Sequence, residues 1–226
     1  MARILWYLKR INIFAELEDR VLSELGQQTK MARFSKGEYM YMPGDPSNSV
    51  FFLKEGRVKI THLLENGKEF TLAILEPGEV FGELALAGEY TRESGAVAMG
   101  EVLACMVDRA FFERLLNKRP DLSYRLTKII GFRRREIEIR LADLAFRGVP
   151  SRIARVLLRL AEQYGTPENG GLRLKIRLGH QDIANLIGAS RETVTLTLNR
   201  LKKEGILDST RRHFIILQPE KLRDFL

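Results

Sequence analysis

The 226-residue sequence predicts an α+β fold in three parts: an N-terminal β-roll, a long helix and a C-terminal winged helix-turn-helix. Short strands separated by turn glycines dominate residues 31–108, and a helical period runs over residues 109–146. Two short helices joined at a glycine then precede a hairpin. The predicted domains are therefore 1–108 for the β-roll, 109–147 for the long helix and 148–226 for the C-terminal module.

The first of these parts begins with a helical pattern. Residues 12–28, "NIFAELEDRVLSELGQQ", place apolar side chains at helical spacing and predict one helix. The runs "SVFFLKEGRVKITHLL" and "EFTLAILEPGEVF" then alternate apolar and polar residues, and glycines recur between them. Turn glycines at such short intervals are typical of an all-β roll, barrel or sandwich.

The long helix, which we expect to break once near Pro120, carries a narrow apolar seam. Ile130, Ile137 and Leu144 lie seven residues apart, with Leu126 and Leu141 beside them. A seam of this kind fits a partner helix in a coiled coil and predicts a homodimer. Packing against the chain's own β-domain is the alternative, and both arrangements can hold on different faces of the helix.

The C-terminal module begins after Gly148 and Pro150, with Ser151 as the expected helix cap. In "GHQDIANLIGASRETVTLTLNRLKKEGIL", two helices carry buried stripes on either side of Gly188, which allows a sharp turn. The second helix opens with polar residues outside its stripe. The hairpin "DSTRRHFIILQP" follows as a wing. These elements predict a winged helix-turn-helix.

The polar residues at that helix start have the chemistry of a DNA reader. Ser190 stands where an N-cap belongs, and Arg191, Glu192 and Thr195 fall outside the buried stripe. Arginine can pair with guanine and glutamate with the cytosine amino group, while Thr193 and the wing arginines Arg211 and Arg212 suit phosphates. Residues 150–226 also hold 14 Lys and Arg against 8 Asp and Glu, a local surplus of six positive charges. Ordinary exposed charges at a helix start are the alternative interpretation.

The rest of the composition narrows the function classes. The chain is 45% hydrophobic and 29% charged, as in ordinary globular proteins, and no apolar run reaches the length of a membrane span. Its single cysteine, Cys105, leaves no disulfide framework or cysteine metal site. We therefore expect a cytoplasmic protein. Because no nucleophile–base pair, P-loop or metal-ligand spacing appears, we also expect that it is not an enzyme.

Several motifs, in order, resemble the cyclic-AMP-receptor/fumarate-nitrate-regulator (CRP/FNR) family of bacterial transcription factors. "GEYMYMPGDP" and "VFFLKEGRVKI" resemble its cyclic-nucleotide-binding-like β-roll, "PGEVFGELAL" its effector cassette, "ADLAF" the end of its dimerisation helix and "SRETV" its recognition helix. The resemblance covers nearly the whole chain. It implies a homodimer on a palindromic site in double-stranded DNA, with RNA polymerase as a further partner.

The resemblance also assigns roles to single residues. It implies that Arg191 and Glu192 read bases, and that Ser190, Thr193 and Gln181 contact the backbone or groove. One position departs from the family: Leu196 stands where the cyclic-AMP receptors carry an arginine. One base contact of those receptors is therefore expected to be missing.

Residues 81–98, "FGELALAGEYTRESGAVA", carry the glycines and the arginine that an anion-binding site needs, and we call them the cassette. Arg92 can bind a phosphate or carboxylate, and Glu83 can accept from a ribose hydroxyl. The resemblance matches Gly82, Glu83, Leu84 and Arg92 to a cyclic-nucleotide cassette, which points to cyclic AMP. Glu93 and a loop one residue short argue against it, as do Ile137 and Glu138 in place of adenine-reading hydroxyl residues.

Two other interpretations of the cassette stay open. Arg92, Arg133 and Glu138 match positions of the cyanobacterial nitrogen-control regulators, which sense 2-oxoglutarate, although Glu83 is unlike that branch. Alternatively the β-domain binds no effector, and Arg92 pairs with Glu89 or Glu93. Outside the regulator class, a nucleotide-sensing subunit of an enzyme or channel would need only residues 30–147. It would leave the basic C-terminal module unexplained.

Overall fold

The structure, a computed structural model, describes residues 12–14, 17–168, 170–210 and 213–226. It divides into two compact units, residues 1–134 and 135–226, and each is described by itself. The predicted strands, long helix, paired short helices and wing are all present. The division falls inside the long helix, whereas the sequence pattern placed domain boundaries at its two ends.

Eight strands in the described part of the first unit form two antiparallel four-stranded sheets, in the orders β1-β8-β3-β6 and β2-β7-β4-β5. Their bounds are Thr29–Phe34 (β1), Tyr39–Tyr41 (β2), Ser49–Glu55 (β3), Val58–Leu63 (β4), Glu69–Leu75 (β5), Val80–Phe81 (β6), Gly95–Ala98 (β7) and Val102–Asp108 (β8). The predicted β-domain is thus built from two facing sheets.

The central strand β3 is buried on both faces. Val50 and Phe52 belong to one apolar cluster, which also takes in residues of the helices, and Phe51 and Leu53 belong to a second between the sheets. The Phe14 and Phe52 rings lie 4.7 Å apart between centroids. The alternation of buried and exposed residues expected for "SVFFLKEGRVKITHLL" is therefore wrong in β3, where four consecutive residues are buried. Helices cover the face of the strand that alternation would leave exposed to water.

The helices of the first unit differ from prediction at one place. The single helix predicted over residues 12–28 is instead a 3-10 turn at Asn12–Phe14 and a helix, α1, at Asp19–Gln27. Glu18 between them has extended backbone, and Leu17 is buried. Helix α2, Arg109–Lys118, is capped by Asp108, and the long helix α3, Pro120–Phe146, begins at the expected break.

The apolar seam of α3 has two kinds of surroundings. In the first unit Leu126 is buried and Ile130 packs against the helical cluster of the β-domain. In the second unit Ile137, Leu141 and Leu144 are exposed, Leu141 by 66% of its surface. The first half of the seam therefore stabilises the chain's own core, and the second half leaves apolar side chains uncovered.

The second unit joins the end of α3 to the winged module. Its further elements are Val149–Tyr164 (α4), Gly165–Glu168 (β9), Gly171–Leu174 (β10), His180–Ile187 (α5), Arg191–Lys203 (α6), Leu207–Thr210 (β11), His213–Ile216 (β12) and Pro219–Arg223 (α7). The strands form one antiparallel sheet in the order β11-β12-β10-β9. Ser151 was expected to cap α4, which is wrong, because Gly148 is the cap residue and Pro150 already lies in the first turn.

Ion pairs explain why residues 135–146 belong with this unit. Arg159 donates to Glu136 at 2.7 Å, and Asp143 accepts from Arg155 at 3.3 Å and from Arg147 at 2.9 Å. These contacts connect the end of α3 to α4. Side-chain ion pairs therefore bridge the break between α3 and α4 at Gly148. Gly148 and Pro150 predict the break from the sequence, but they do not predict these ion pairs.

Candidate nucleic-acid interface and effector cassette

The helix-turn-helix is held by a small apolar core. Ile183, Leu186 and Ile187 of α5 and Val194, Leu198 and Leu201 of α6 are all buried, as the two stripes predict. Gly188 ends α5 in the left-handed region, at φ 62° and ψ 48°, a conformation that costs other residues energy. Arg152 of α4 donates to the carbonyl of Ile187 at 2.7 Å and holds the end of α5. The start of α6 is therefore presented by a packed scaffold.

Ser190 caps helix α6, as predicted. Its Oγ accepts from the backbone N–H of Thr193 at 3.1 Å, and the two hydroxyl oxygens lie 3.0 Å apart. Backbone N–H and the Ser190 hydroxyl also hold the pKa of Glu192 below its ordinary value. The first turn of α6 is thus ordered and keeps its carboxylate ionised.

We expect Ser190→Ala to loosen the first turn of α6 without unfolding the module. Loss of a serine cap costs about 1 kcal/mol, so the amide of Thr193 should exchange with solvent about fivefold faster. Hydrogen exchange followed by NMR measures this. Ser190→Asn, which keeps a capping oxygen, should restore the slow rate, and equal rates in wild type and Ser190→Ala would contradict the role of the cap.

The predicted DNA contacts on α5 and α6 mostly lie on the surface. Gln181, Ser190, Arg191, Glu192 and Thr193 are exposed. Gln181 donates through Nε2 to Asn185 at 2.7 Å. All of them lie at the start of one helix or the other. Their contacts with DNA remain predictions.

Thr195 has a different environment. It is half-buried, and its hydroxyl lies 2.8 Å from Nδ1 of His180 at the start of α5. Burial, followed by the charges of Lys202 and Arg191, lowers the pKa of His180 and favours the neutral ring. His180 was not predicted as part of this interface. No signal in the sequence pairs it with Thr195, which lies 15 residues further along the chain.

Further contacts fix the wing. Lys202 of α6 donates to Ser209 of β11 at 2.6 Å, and Arg177 donates to Nε2 of His213 at 3.2 Å. These side chains attach the hairpin to α6 and to the segment before α5. Arg211 and Arg212, the predicted phosphate contacts of the wing, lie outside the described residues.

In the first unit, Arg92 is enclosed by the protein. Its side chain is buried, and the residue exposes only 3% of its surface. The guanidinium donates to the carbonyls of Gly82, at 3.0 Å, and Ser49, and lies 3.5 Å from a Glu89 oxygen and 4.4 Å from the Tyr41 ring centroid. Its Nε has no hydrogen-bond partner among the described residues. Arg92 therefore already holds the cassette together.

Gly82 is required by this arrangement. Its φ is +68°, and a Cβ added there would lie 3.1 Å from the nearer guanidinium nitrogen of Arg92. A side chain would meet both the backbone strain and the guanidinium. Leu84, two residues on, is half exposed on the 3-10 turn Glu83–Ala87.

Glu83 is paired too. One of its oxygens accepts from Arg133 at 3.0 Å, and the same guanidinium donates to Glu79 at 3.3 Å. Together with Arg92 and Glu89, the group holds two guanidiniums against three carboxylates. The structure thus brings four predicted effector residues of the cassette and Arg133 together. Ile137 and Glu138 belong to the second unit, and their part in an effector site stays a prediction.

Comparisons with known proteins match both units. The family model of the cyclic nucleotide-binding domain matches residues 31–119, and that of the Crp-like helix-turn-helix domain matches residues 151–225. The chain is 34% identical over 215 residues to a CRP-like cAMP-activated global transcriptional regulator of Mycobacterium tuberculosis, covering 95% of this chain and 96% of the relative.

A second relative comes from another branch. The global nitrogen regulator of Synechocystis is 34% identical over 193 residues, covering 84% of this chain and 85% of the relative. A crystal structure of a CRP-family transcriptional regulator from Thermus thermophilus superposes with a TM-score of 0.73 at 27% identity, covering 85% of this chain and 95% of that one. These likenesses confirm the predicted α+β class and winged helix-turn-helix, and none supports a regulatory subunit of an enzyme or channel.

Two features are absent from the described residues. None of their helices combines the length and apolar character that a bilayer-spanning segment needs. Among the same residues, no three His, Cys, Asp or Glu side chains are grouped as metal ligands would be.

Proposed function

This chain belongs to the cyclic-AMP-receptor/fumarate-nitrate-regulator (CRP/FNR) family of DNA-binding transcription regulators, and on that premise we propose that Arg191 and Glu192 read a palindromic promoter site. The observation that carries the proposal is their exposure in the capped first turn of α6, the second helix of the helix-turn-helix. A recognition helix inserts this end into the major groove.

The individual contacts follow from chemistry. The Arg191 guanidinium can donate two hydrogen bonds to guanine O6 and N7, and the ionised Glu192 can accept from cytosine N4. The helix N-terminus, Ser190, Thr193 and Gln181 suit phosphate oxygens, as do Arg211 and Arg212. We propose that Thr195 stabilises the packing of α5 against α6 through its contact with His180. Its hydroxyl is also the group that would contact the DNA groove.

We propose that the regulator acts as a homodimer. The exposed apolar residues of 135–146, with Ile137 and Leu144 seven residues apart, give a partner helix a seam to cover. A dimer would set two recognition helices about 34–36 Å apart, one turn of DNA, on a two-fold symmetric site. RNA polymerase is the further partner that we propose, and the cytoplasm, where bacterial DNA lies, is the proposed location.

For the effector, we propose a small anion bound at the Arg92 cassette, with cyclic AMP and 2-oxoglutarate as the two candidates. The unpartnered Nε of Arg92 and the cyclic nucleotide-binding family match support a ligand there. The internal contacts of Arg92 support a second candidate, DNA binding without any effector. Three carboxylates beside two guanidiniums leave a net negative charge of one, which weakens the attraction for a dianion.

The DNA-binding proposal is tested by salt dependence. We expect tight binding to a palindrome selected from random duplexes, and log Kd that rises linearly with log salt by about 0.9 for each phosphate neutralised. Fluorescence anisotropy at several salt concentrations, with a scrambled duplex as control, measures both the preference for the palindrome and the salt dependence of Kd. Binding that ignores salt, or that does not prefer the palindrome, would contradict the proposal.

The effector is identified by the same assay with cyclic AMP or 2-oxoglutarate added. Weak binding rescued by one ligand identifies that ligand as the effector. Strong binding that neither ligand changes supports the effector-independent candidate, in which Arg92 is structural. Arg191→Ala protein serves as the control, because it lacks the proposed base contact and keeps non-specific binding. A ligand that changes the affinity of this variant for scrambled DNA acts on non-specific binding.

A further inference from the structure

Helix α6 carries one apolar side chain on the face opposite its core. Leu196 exposes 72% of its surface, while the other large apolar residues of this fully described helix, Val194, Leu198 and Leu201, are buried. At 100° per residue, Leu196 lies on the same side as Glu192 and Asn199, directly away from the buried stripe. It is therefore part of the surface that the recognition helix presents.

Its position along the helix is also specific. Leu196 comes one turn after Glu192, which advances it about 5–6 Å along the axis. Base pairs are stacked about 3.4 Å apart, so a side chain one turn further reaches one or two base pairs beyond those that Arg191 and Glu192 contact. With α6 in the major groove as proposed above, Leu196 would lie beside base edges.

A leucine limits which base edge can lie there. It has no donor or acceptor, so pressing it against the polar edge of a guanine, adenine or cytosine strips water from those atoms without replacing the hydrogen bonds. The thymine C5 methyl is the apolar group that the major groove offers, and its burial against an aliphatic side chain is favourable.

We propose that Leu196 specifies a thymine in each half-site by packing against its C5 methyl group. This inference rests on the proposed reading of DNA by α6. It adds to the recognised half-site a thymine that the hydrogen bonds of Arg191 and Glu192 do not specify. A single exposed leucine is common on protein surfaces, so its location on the reading face carries the argument.

Deoxyuridine tests this contact, because it differs from thymidine only by the missing methyl group. In the selected palindrome, each thymine of both half-sites is replaced in turn by uracil, and Kd is measured by anisotropy. We expect one thymine position at which wild type binds about fourfold more weakly for each half-site changed, the equivalent of one buried methyl group. Leu196→Ala should bind the thymine and uracil duplexes equally at that position.

Two variants separate a leucine contact from other causes. Asn199→Ala should keep the sensitivity to uracil, because it leaves Leu196 in place. Leu196→Ala removes an exposed side chain, so its affinity for scrambled DNA should equal that of wild type and reports that the helix is intact.

The outcomes distinguish this inference from the function on which it rests. Wild type that prefers the palindrome but tolerates uracil at every position would overturn the thymine contact alone, as would a uracil effect that persists in Leu196→Ala. Wild type with no preference for any palindrome would overturn the proposed function and the thymine contact with it.

Discussion

Replacing Arg92 by alanine should unfold the β-domain more readily even when no ligand is present. The change leaves the carbonyls of Gly82 and Ser49 without a donor and Glu89 without its cation, all in a site where Arg92 itself is 3% exposed. Removing one partner of a buried charged network costs about 3–5 kcal/mol. In strand β3, the slowest amides should therefore exchange roughly two to four orders of magnitude faster.

Hydrogen exchange is the suitable measurement because the chain has two compact units and one unfolding midpoint would mix them. Amides of α6 in the second unit act as the internal control and should not change. Arg57→Ala, which breaks a half-exposed pair with Glu76, should cost no more than about 1 kcal/mol. Arg92→Lys should be nearly as damaging as alanine, because an ammonium group cannot reproduce the planar fork.

The result bears directly on the effector. If the exchange of β3 amides is unchanged in Arg92→Ala, the guanidinium contributes nothing to the resting fold and is reserved for a ligand. If the loss is as large as we expect, any anion that binds must compete with Glu89 or use the unpartnered Nε. The stability measurement and the ligand titration are therefore complementary.

Much of the interface could be predicted because its determinants are local. The Ser190 cap depends on an oxygen three residues before an N–H, and the turn at Gly188 depends on a residue that tolerates positive φ. Periodicity found the two stripes for the same reason. In each case the interacting groups are close in sequence, so the local sequence pattern is enough to predict the contact.

The remaining features depend on contacts between distant parts of the chain. Ser49 reaches Arg92 across 43 residues, and Glu83 reaches Arg133 across 50. Sequence could suggest Glu89 as a partner of Arg92, since they are three residues apart, but it could not show that backbone carbonyls complete the enclosure. His180 pairs with Thr195 only because the two short helices pack together. Charge patterns cannot fix such pairings before the fold is known.

The second large effect that we expect is a loss of specificity in Arg191→Ala. The substitution should weaken binding to the selected palindrome by about 1–3 kcal/mol per half-site and leave binding to scrambled DNA nearly unchanged. Arg191 is exposed at the first position of α6 and is not among the buried residues of that helix, so the fold does not need it. Paired anisotropy titrations on the two duplexes at one salt concentration measure the difference.

Arg211→Ala is the matched comparison, because it removes the same kind of charge from a residue proposed to contact phosphate. It should weaken the palindrome and the scrambled duplex alike and lower the salt slope by about one. The two variants therefore differ in which DNA they affect, and not only in how strongly. Equal losses on both duplexes for Arg191→Ala would contradict its assignment as a base reader.

A base analogue identifies the group that Arg191 contacts. Substituting 7-deazaguanine removes the N7 acceptor and keeps O6, so wild type should lose affinity at one guanine per half-site. Arg191→Ala has already lost the bidentate pair, and the analogue should cost it nothing further at that position. An undiminished loss in the variant would mean that another side chain reads the guanine. A loss present in wild type and absent in the variant joins the two atoms in a single contact, because only interacting groups give such non-additive effects.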